Sequence, residues 1–281
     1  MSIINKHIGG GKSLSLSKKI AIFAVFLFAI IISIFIGYKF IIHELSQKEQ
    51  IEILHQKVNH LSARIEKIEN VNLKVDWSDK EFNYFAIGNS ITLHAINSYW
   101  WAERGMAASK DEKDYVHIVA NHLKAKVHAY NFSIWEVSSK DRGEFLSLLD
   151  NYLDPRIDLI TIQLGENAND LSTWKNDWID LINYIKTKNE KAKIVIVGDF
   201  WSFPKRDEGK IEAAKQCGVI FIDLSDIKEN KTYQSCMNCT VIDDEGKAHQ
   251  ITHNGVAAHP GDLGMKEIAM RIISSILEFP R

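Results

Sequence analysis

Three short polar segments of this 281-residue chain carry side chains that act together in acyl-transfer chemistry: a serine, an amide and an imidazole at Ser90, Asn167 and His259. A serine hydroxyl becomes a good nucleophile when a base takes its proton, and an imidazole has the near-neutral pKa that this requires. The tetrahedral oxyanion then needs preorganised donors, for which the Ser90 backbone N–H and the Asn167 amide are available. These residues predict a serine hydrolase site with Ser90 as nucleophile and His259 as base.

The elements around these segments alternate between short apolar strands and amphipathic helices. Strands are predicted at 84–88, 126–132, 157–165, 192–198 and 218–224, and helices at 111–123, 138–152, 173–188, 206–217 and 263–278. Such alternation, with continuous β-branched strands, predicts an α/β fold: a three-layer α/β/α sandwich with a parallel, flavodoxin-like sheet. Active sites in these sheets lie at the carboxyl ends of the strands. Ser90 and Asn167 follow two strands, so we expect them at one edge, with His259 just before the last helix.

The same segments resemble a known family, the SGNH (GDSL-like) hydrolases. Its first, third and last sequence blocks are similar to Gly88-Asn89-Ser90-Ile91-Thr92, Gly165-Glu166-Asn167 and His259-Pro260-Gly261-Asp262-Leu263-Gly264, in that order. The resemblance covers about residues 82–281. It implies a serine esterase in which Asn167 is an oxyanion donor and the His-Pro segment opens the C-terminal helix.

The chain departs from the family pattern in two places. The second block normally supplies a glycine N–H as a third oxyanion donor, but residues 131–136 contain no glycine. A backbone N–H of Ser133 or a neighbour is the expected substitute. The family also has an aspartate three residues before the histidine, where this chain has Val256. We therefore expect a Ser–His pair whose imidazole is held by a backbone carbonyl or by Asn254.

Each site residue also has a structural interpretation. Ser90 could cap a helix, His259 could lie in a surface turn and Asn167 could stabilise the turn at 165–170. Asp262 is expected to cap the last helix, and Glu166 to be a solvated loop carboxylate.

Tryptophans near the strand ends bear on the substrate. Flat amphipathic rings can stack on sugars or surround an acyl chain, and four are candidates for substrate contact, with plain packing as the alternative: Trp100, Trp101, Trp135 and Trp201. With the family resemblance, they favour a carbohydrate-linked ester, such as an O-acetyl group of envelope carbohydrate. An O-acyltransferase on the same substrate class is the second hypothesis, favoured if tryptophans exclude water. A catalytically silent tethered scaffold, favoured by the absent aspartate, is the third.

The N-terminal region indicates a membrane anchor. Residues 20–38 are uncharged and apolar. Nineteen residues at a rise of 1.5 Å cover about 29 Å, close to the hydrocarbon thickness of a bilayer. The run is longer than a signal-peptide core and lacks a small-x-small cleavage site, so an uncleaved signal anchor at 20–42 is predicted. Lysines without acidic residues precede it, which predicts a cytoplasmic segment at 1–19 and an extracytoplasmic catalytic domain, periplasmic or at the cell surface.

A heptad pattern follows the anchor. Isoleucine, valine and leucine occupy the a and d positions between residues 51 and 68, within a predicted helical stalk at 44–75. This pattern favours a parallel two-stranded coiled coil and hence a homodimer, although an amphipathic helix lying on its own domain would look similar. The hydrolase domain is expected at 78–281.

Composition gives no sign of a nucleic-acid partner and does not decide the state of the cysteines. The net charge of −2 gives no indication of nucleic-acid binding, and no cofactor motif occurs. Cys236 and Cys239 could form a disulfide, bind zinc with His249 and His253, or do neither. Cys217 is expected to be a buried small hydrophobe.

Overall fold

The computed structural model describes residues 74–203 and 205–278. The predicted cytoplasmic segment at 1–19, the signal anchor at 20–42 and all but the last two residues of the stalk at 44–75 lie outside the described residues. Among the helices that are described, none combines the length and the apolar character needed to cross a bilayer.

A five-stranded parallel sheet forms the centre of the domain. Its strands, in chain order, are β1 Phe82–Gly88, β2 Ala125–Asn131, β3 Leu159–Gln163, β4 Lys193–Val197 and β5 Ile220–Ile222. Their order across the sheet is β2-β1-β3-β4-β5, with every neighbouring pair parallel. The sheet agrees with the predicted flavodoxin-like order. Apolar side chains point to both faces of β1, β3 and β4, as expected for strands buried on both sides.

Helices cover both faces of the sheet and complete the predicted three-layer sandwich. They are α1 Tyr115–Leu123, α2 Ser133–Val137, α3 Trp174–Lys188, α4 Arg206–Cys217, α5 Asn254–Ala257 and α6 Asp262–Glu278. On one face Phe85 and Ile87 of β1 pack in a core with α3 and α4. On the other face Tyr84 and Ala86 pack in a second core with α1 and α6. Successive side chains of β1 therefore pack in two separate cores, one on each face of the sheet.

The segment at 138–152 differs from the single α-helix predicted there. A short α2 is followed by a 3₁₀ helix at Ser139–Asn151. The buried Arg142 donates hydrogen bonds to the carbonyls of Trp135 (3.2 Å) and Glu136 (3.0 Å). The guanidinium group therefore supplies hydrogen bonds to carbonyls in the last turn of α2, which an α-helix leaves without intrahelical partners where it ends.

Along the chain, a small antiparallel hairpin follows the last strand of the sheet and precedes α5. It consists of β6 Thr240–Ile242 and β7 Ala248–Gln250. Cys236 and Cys239 form a disulfide beside it, so of the alternatives open from the sequence, the structure has the disulfide. His249 contacts Asp243 instead, with Nε2 2.7 Å from the Asp243 carboxylate. Cys217 is half-buried rather than fully buried.

Candidate active site

Ser90 lies in a tight turn directly after β1. Residues 92 and 93 donate backbone hydrogen bonds of 3.0 Å to the Asn89 carbonyl, which closes the turn. A Cβ at Gly88 would lie 1.8 Å from the Thr92 hydroxyl oxygen and 2.8 Å from the Gln163 carbonyl oxygen. Glycine is therefore required at position 88 for the chain to turn so close to β3. The turn leaves Ser90 half-buried at the carboxyl edge of the sheet.

His259 lies just before α6 and faces Ser90. Its Nε2 is 2.8 Å from Ser90 Oγ, and its Nδ1 is 2.7 Å from the Gly255 carbonyl oxygen. A carbonyl can accept a hydrogen bond but cannot donate one, so Nδ1 carries the proton of the neutral ring. Nε2 is then left as an acceptor for the Ser90 hydroxyl. This is the tautomer that a general base at this position requires.

The group that orients His259 is the Gly255 carbonyl and not the Asn254 side chain. The one-turn helix α5 begins at Asn254, whose side chain is exposed, and directs the following carbonyl towards the imidazole. Val256, where the family pattern has an aspartate, is buried in an apolar cluster under the hairpin. A charged carboxylate would be unfavourable in that cluster. Of the two orienting groups considered from the sequence, the backbone carbonyl is the one in place.

The environment of His259 favours the neutral ring. Its pKa falls from 6.5 to about 4, chiefly because burial disfavours the imidazolium. The hydrogen bond to Gly255 opposes this fall, whereas His94 and His253 add to it. His259 is only 9% exposed. Because its pKa is about 4, the ring is unprotonated, and able to accept a proton, at any pH well above 4.

The two predicted oxyanion donors lie at the same edge. Asn167 lines the cleft beside Ser90, and its Nδ2 donates a hydrogen bond of 2.6 Å to Glu136 Oε2. That bond uses one of the two Nδ2 hydrogens and leaves the other. Within the described residues, the backbone N–H of Ser90 has no acceptor. The Ser133 N–H, considered as a third donor, is already bonded to Asn131 Oδ1 at 3.1 Å.

These groups open into a cleft of about 470 Å³. The volume lies within the range of small-molecule sites in proteins. Three of the lining residues are histidines, His94, His253 and His259, and the His253 ring stacks on Tyr99 with centroids 4.5 Å apart. The apolar lining residues are Met106, Ile134, Val137 and Val256. The cleft is therefore lined by both polar aromatic and aliphatic side chains.

The four tryptophans considered for substrate contact do not line this cleft. Trp100 and Trp135 are fully buried, Trp100 under the hairpin and Trp135 against Trp174 and Trp178, so neither has a surface to offer and the prediction is wrong for both. Trp101 is half-buried and stacks on His249. Trp201 is half-buried and contacts His259 edge to face, with centroids 4.8 Å apart. Its position shields the base from water.

A buried polar network behind the cleft was not predicted. Glu136, which has no role predicted from the sequence, is fully buried and accepts hydrogen bonds from the Asn89 side chain, the Gly165 N–H and Asn167. Glu166 is not a solvated carboxylate, because it accepts hydrogen bonds from Asn89 (2.7 Å), Gln163 (2.9 Å) and the Phe200 N–H (2.9 Å). Burial raises the pKa of both carboxyl groups.

Asp262 was predicted to cap the last helix, and the structure places its carboxylate in contact with Ser109. Its carboxylate accepts hydrogen bonds from the Ser109 N–H (2.8 Å) and the Ser109 hydroxyl (2.6 Å). Asp262 does not line the cleft, and Gly255, not Asp262, contacts His259 Nδ1. The contact fastens the first turn of α6 to the segment after the nucleophile turn.

Comparison with known proteins gives likenesses of structure. No protein-family model matches the chain, and no curated protein sequence matches it. A family two carbohydrate esterase from Clostridium thermocellum is similar at 14% identity and a TM-score of 0.48, over 70% of this chain and 64% of the esterase. A GDSL-like lipase from Bacteroides ovatus is similar at 13% identity and a TM-score of 0.48, over 71% of this chain and 100% of the lipase. The salicylyl-acyltransferase SsfX3 from a tetracycline biosynthetic pathway is similar at 14% identity and a TM-score of 0.45, over 69% and 54% of the two chains.

Proposed function

We propose that the chain is a serine ester hydrolase that uses Ser90 and His259. The observation that carries the proposal is the continuous hydrogen-bonded line from the Ser90 hydroxyl through the His259 imidazole to the Gly255 carbonyl, with distances of 2.8 and 2.7 Å. The line lies in an open cleft, and the imidazole is in the tautomer that accepts a proton from serine. A surface-turn histidine or a helix-capping serine would not require this arrangement.

The proposed reaction has two halves. Ser90 Oγ attacks the acyl carbonyl carbon while His259 Nε2 takes the hydroxyl proton, and the carbonyl oxygen becomes an oxyanion near the Asn167 amide and the Ser90 N–H. The tetrahedral intermediate then expels the alcohol, which receives the proton from Nε2. Water repeats the sequence: His259 takes its proton, the new oxygen bonds to the acyl carbon, and Ser90 leaves with the proton returned.

For the substrate we propose an O-acetyl or similarly small acyl ester on envelope carbohydrate. The resemblance of the three sequence blocks to SGNH hydrolases supports an ester. The cleft volume supports a small acyl group, and its polar aromatic lining residues, Tyr99 and two non-catalytic histidines, support a polar alcohol such as a sugar.

Two observations favour hydrolysis over the acyltransferase and scaffold alternatives. An O-acyltransferase was favoured by a water-excluding rim of tryptophans, but none of the four tryptophans lines the cleft. A silent scaffold was favoured by the missing aspartate, but the Gly255 carbonyl holds His259 in a workable tautomer.

Location and assembly remain part of the proposal. The apolar run at 20–38, within the predicted anchor at 20–42, supports a single-pass membrane protein with an extracytoplasmic domain, and the Cys236–Cys239 disulfide supports an oxidising compartment. The heptads at 44–75 support a homodimer, which a monomeric sedimentation of the full chain in detergent would exclude.

The test compares matched serine variants of the full chain. The wild type should release acetate from an aryl acetate and from an acetylated polysaccharide. Ser90→Ala should lower kcat at least about 10³-fold, because no other group replaces the nucleophile. Ser133→Ala is the control, since Ser133 lines the same cleft but bonds to Asn131 and not to His259.

A covalent probe gives an independent readout. A fluorophosphonate should add one phosphonyl group to Ser90 in the wild type and in Ser133→Ala, measured by intact mass and peptide mapping. Equal turnover by wild type and Ser90→Ala, or labelling that spares Ser90, would show that the proposed function is wrong. Transfer to an added sugar acceptor in excess of hydrolysis would favour the acyltransferase.

A further inference from the structure

Glu136 is a fully buried carboxylate that the proposed chemical steps do not use. It lies in α2, directly after the strand-end segment in which the family pattern has glycine. Three hydrogen bonds reach it, from donors that are 29, 31 and 47 residues away in the sequence: the Gly165 N–H, Asn167 Nδ2 and Asn89 Nδ2. A buried carboxylate is retained at a cost in desolvation, so its partners indicate what it does.

The division of donors between the two carboxylate oxygens is informative. Oε1 accepts from Gly165 and from Asn89 (3.0 Å), whereas Oε2 accepts from Asn167 (2.6 Å). The Asn89 amide is itself fixed, because its Oδ1 accepts from the Ile91 N–H and its second Nδ2 hydrogen bonds to Glu166. Glu136 Oε1 is therefore held in position, and Oε2 is presented to the Asn167 side chain.

The ionisation of Glu136 determines which way the Asn167 amide faces. Burial raises the pKa of Glu136, while the hydrogen bonds from Gly165, Asn167 and Asn89 lower it. All three partners are donors, and an ionised carboxylate, which only accepts, satisfies all three, so the arrangement favours the ionised form. An ionised carboxylate attracts Nδ2 of Asn167 and repels Oδ1. The second Nδ2 hydrogen then remains for the cleft that Asn167 lines.

We propose that Glu136 is a positioning residue that orients the Asn167 amide as an oxyanion donor. The inference rests on the proposed function and deepens it. Glu136 does not touch the substrate, because it is fully buried behind Asn167. It acts through Asn167, by keeping an N–H rather than a carbonyl oxygen directed at the developing oxyanion.

A near-isosteric variant tests this orientation. Glu136→Gln replaces one carboxylate oxygen with an NH₂ group. The Gly165 N–H still requires an acceptor, so the remaining side-chain oxygen stays on that side and the NH₂ group faces Asn167. The Asn167 amide must then flip to offer its Oδ1 as an acceptor. The flip removes the donor from the oxyanion position. We expect kcat to fall about 10²–10³-fold, as when an oxyanion donor is removed, with KM changed by less than about threefold.

The decisive readout is a double-mutant comparison. If Glu136 acts through Asn167, then Glu136→Gln combined with Asn167→Ala should be no more than about threefold slower than Asn167→Ala alone. A purely structural role predicts effects that multiply. Glu166→Gln is the matched control, because Glu166 belongs to the same network and contacts Asn89 but not Asn167. It should lower kcat far less than Glu136→Gln does.

A crystal structure of the wild type with a phosphonyl group on Ser90 provides a test that needs no variant to fold. The expected result is a phosphonyl oxygen at about 3 Å from Asn167 Nδ2, with Nδ2 still bonded to Glu136. Wild-type kcat in Glu136→Gln, multiplicative effects, or an adduct whose oxygen lies away from Asn167 would overturn the positioning role. Absence of any adduct at Ser90, together with inactivity of the wild type, would instead overturn the proposed function.

Discussion

His259 and Asn167 reach Ser90 from opposite parts of the chain, and they are held by groups of different charge. His259 precedes α6 and is held by a neutral backbone carbonyl, that of Gly255. Asn167 follows β3 and is held by the buried carboxylate of Glu136. In a Ser-His-Asp triad the negative charge lies behind the base. Here the carboxylates lie behind the oxyanion donor.

This difference has a chemical consequence on each side. Without a carboxylate contact, the His259 imidazolium is little stabilised, which is why burial lowers the pKa to about 4. Behind Asn167, the fully buried Glu136 and the half-buried Glu166 share one Asn89 amide. A cation lies near Glu166: burial raises the pKa of Glu166, and the Lys210 ammonium opposes that rise. The protonation of the base is thus set by desolvation, and the position of the oxyanion donor by a buried carboxylate that accepts hydrogen bonds from neutral donors.

The largest expected effect comes from removing that cation. Lys210 is fully buried and contacts the Asp199 carboxylate and the Val197 carbonyl. Lys210→Met keeps the length of the side chain, removes the ammonium group in contact with Asp199, and leaves that carboxylate with the Arg206 guanidinium at 3.9 Å. We expect a loss of about 3–5 kcal/mol in the free energy of unfolding, the usual cost of breaking a buried ion pair. Urea unfolding at pH 7 measures it.

The pH dependence of that loss follows from Asp199. Burial raises its pKa to about 7, against 3.8 for the ordinary carboxyl, and Lys210 lowers it. Without Lys210 the pKa rises further, so folding of the variant takes up a proton across the range from about 4 to above 7. Because the wild type takes up a proton over the same range up to about 7, the deficit should shrink as the pH falls from 8 to about 7 and then stay level down to pH 5. Lys215→Met, on the exposed side of the same helix, should change stability by less than about 0.5 kcal/mol. A similar loss in both variants would refute a special role for Lys210.

The next prediction tests whether desolvation alone sets the pKa of the catalytic base, His259. In the wild type, kcat/KM should fall about tenfold per pH unit below a pKa of about 4, because protonated His259 cannot accept the Ser90 proton. The Trp201 ring covers His259, with centroids 4.8 Å apart. Trp201→Ala admits water, relieves the desolvation and should move this acid limb upward towards 6.5.

Trp101→Ala is the control for that shift. Trp101 is also half-buried and stacks on a histidine, but the histidine is His249, and Trp101 does not contact His259. The acid limb of the kcat/KM profile of Trp101→Ala should therefore lie at the same pH as that of the wild type. An unmoved limb in Trp201→Ala, or equal shifts in both variants, would mean that burial by Trp201 does not control the pKa of His259.

The two sides of the site also differ in how far sequence could predict them. The positions of Ser90 and Asn167 were predictable because parallel strands bring their carboxyl ends to one edge and the strands were readable as apolar runs. His259 follows no strand of the sheet and was predicted from the resemblance of its His-Pro segment to the family pattern. Glu136 was not, because its three donors lie 29 to 47 residues away and only tertiary packing brings them together. The Trp100 and Trp135 predictions failed for a related reason: loop position along the chain does not reveal burial under a hairpin or against α3.

The smallest expected effect concerns Asn254, the residue next to the carbonyl that holds His259. Its side chain is exposed, and the His259 Nδ1 bond goes to the main chain of Gly255. Asn254→Ala keeps that carbonyl and favours the α5 turn, so kcat should stay within about twofold of the wild type. Steady-state kinetics on an aryl acetate at pH 7 measure it, with His259→Ala as the inactive reference. A loss of tenfold or more would show that the Asn254 amide orients the imidazole during turnover. The base side would then depend on a side chain after all, and the contrast with the Glu136 side would be weaker than the hydrogen bonds indicate.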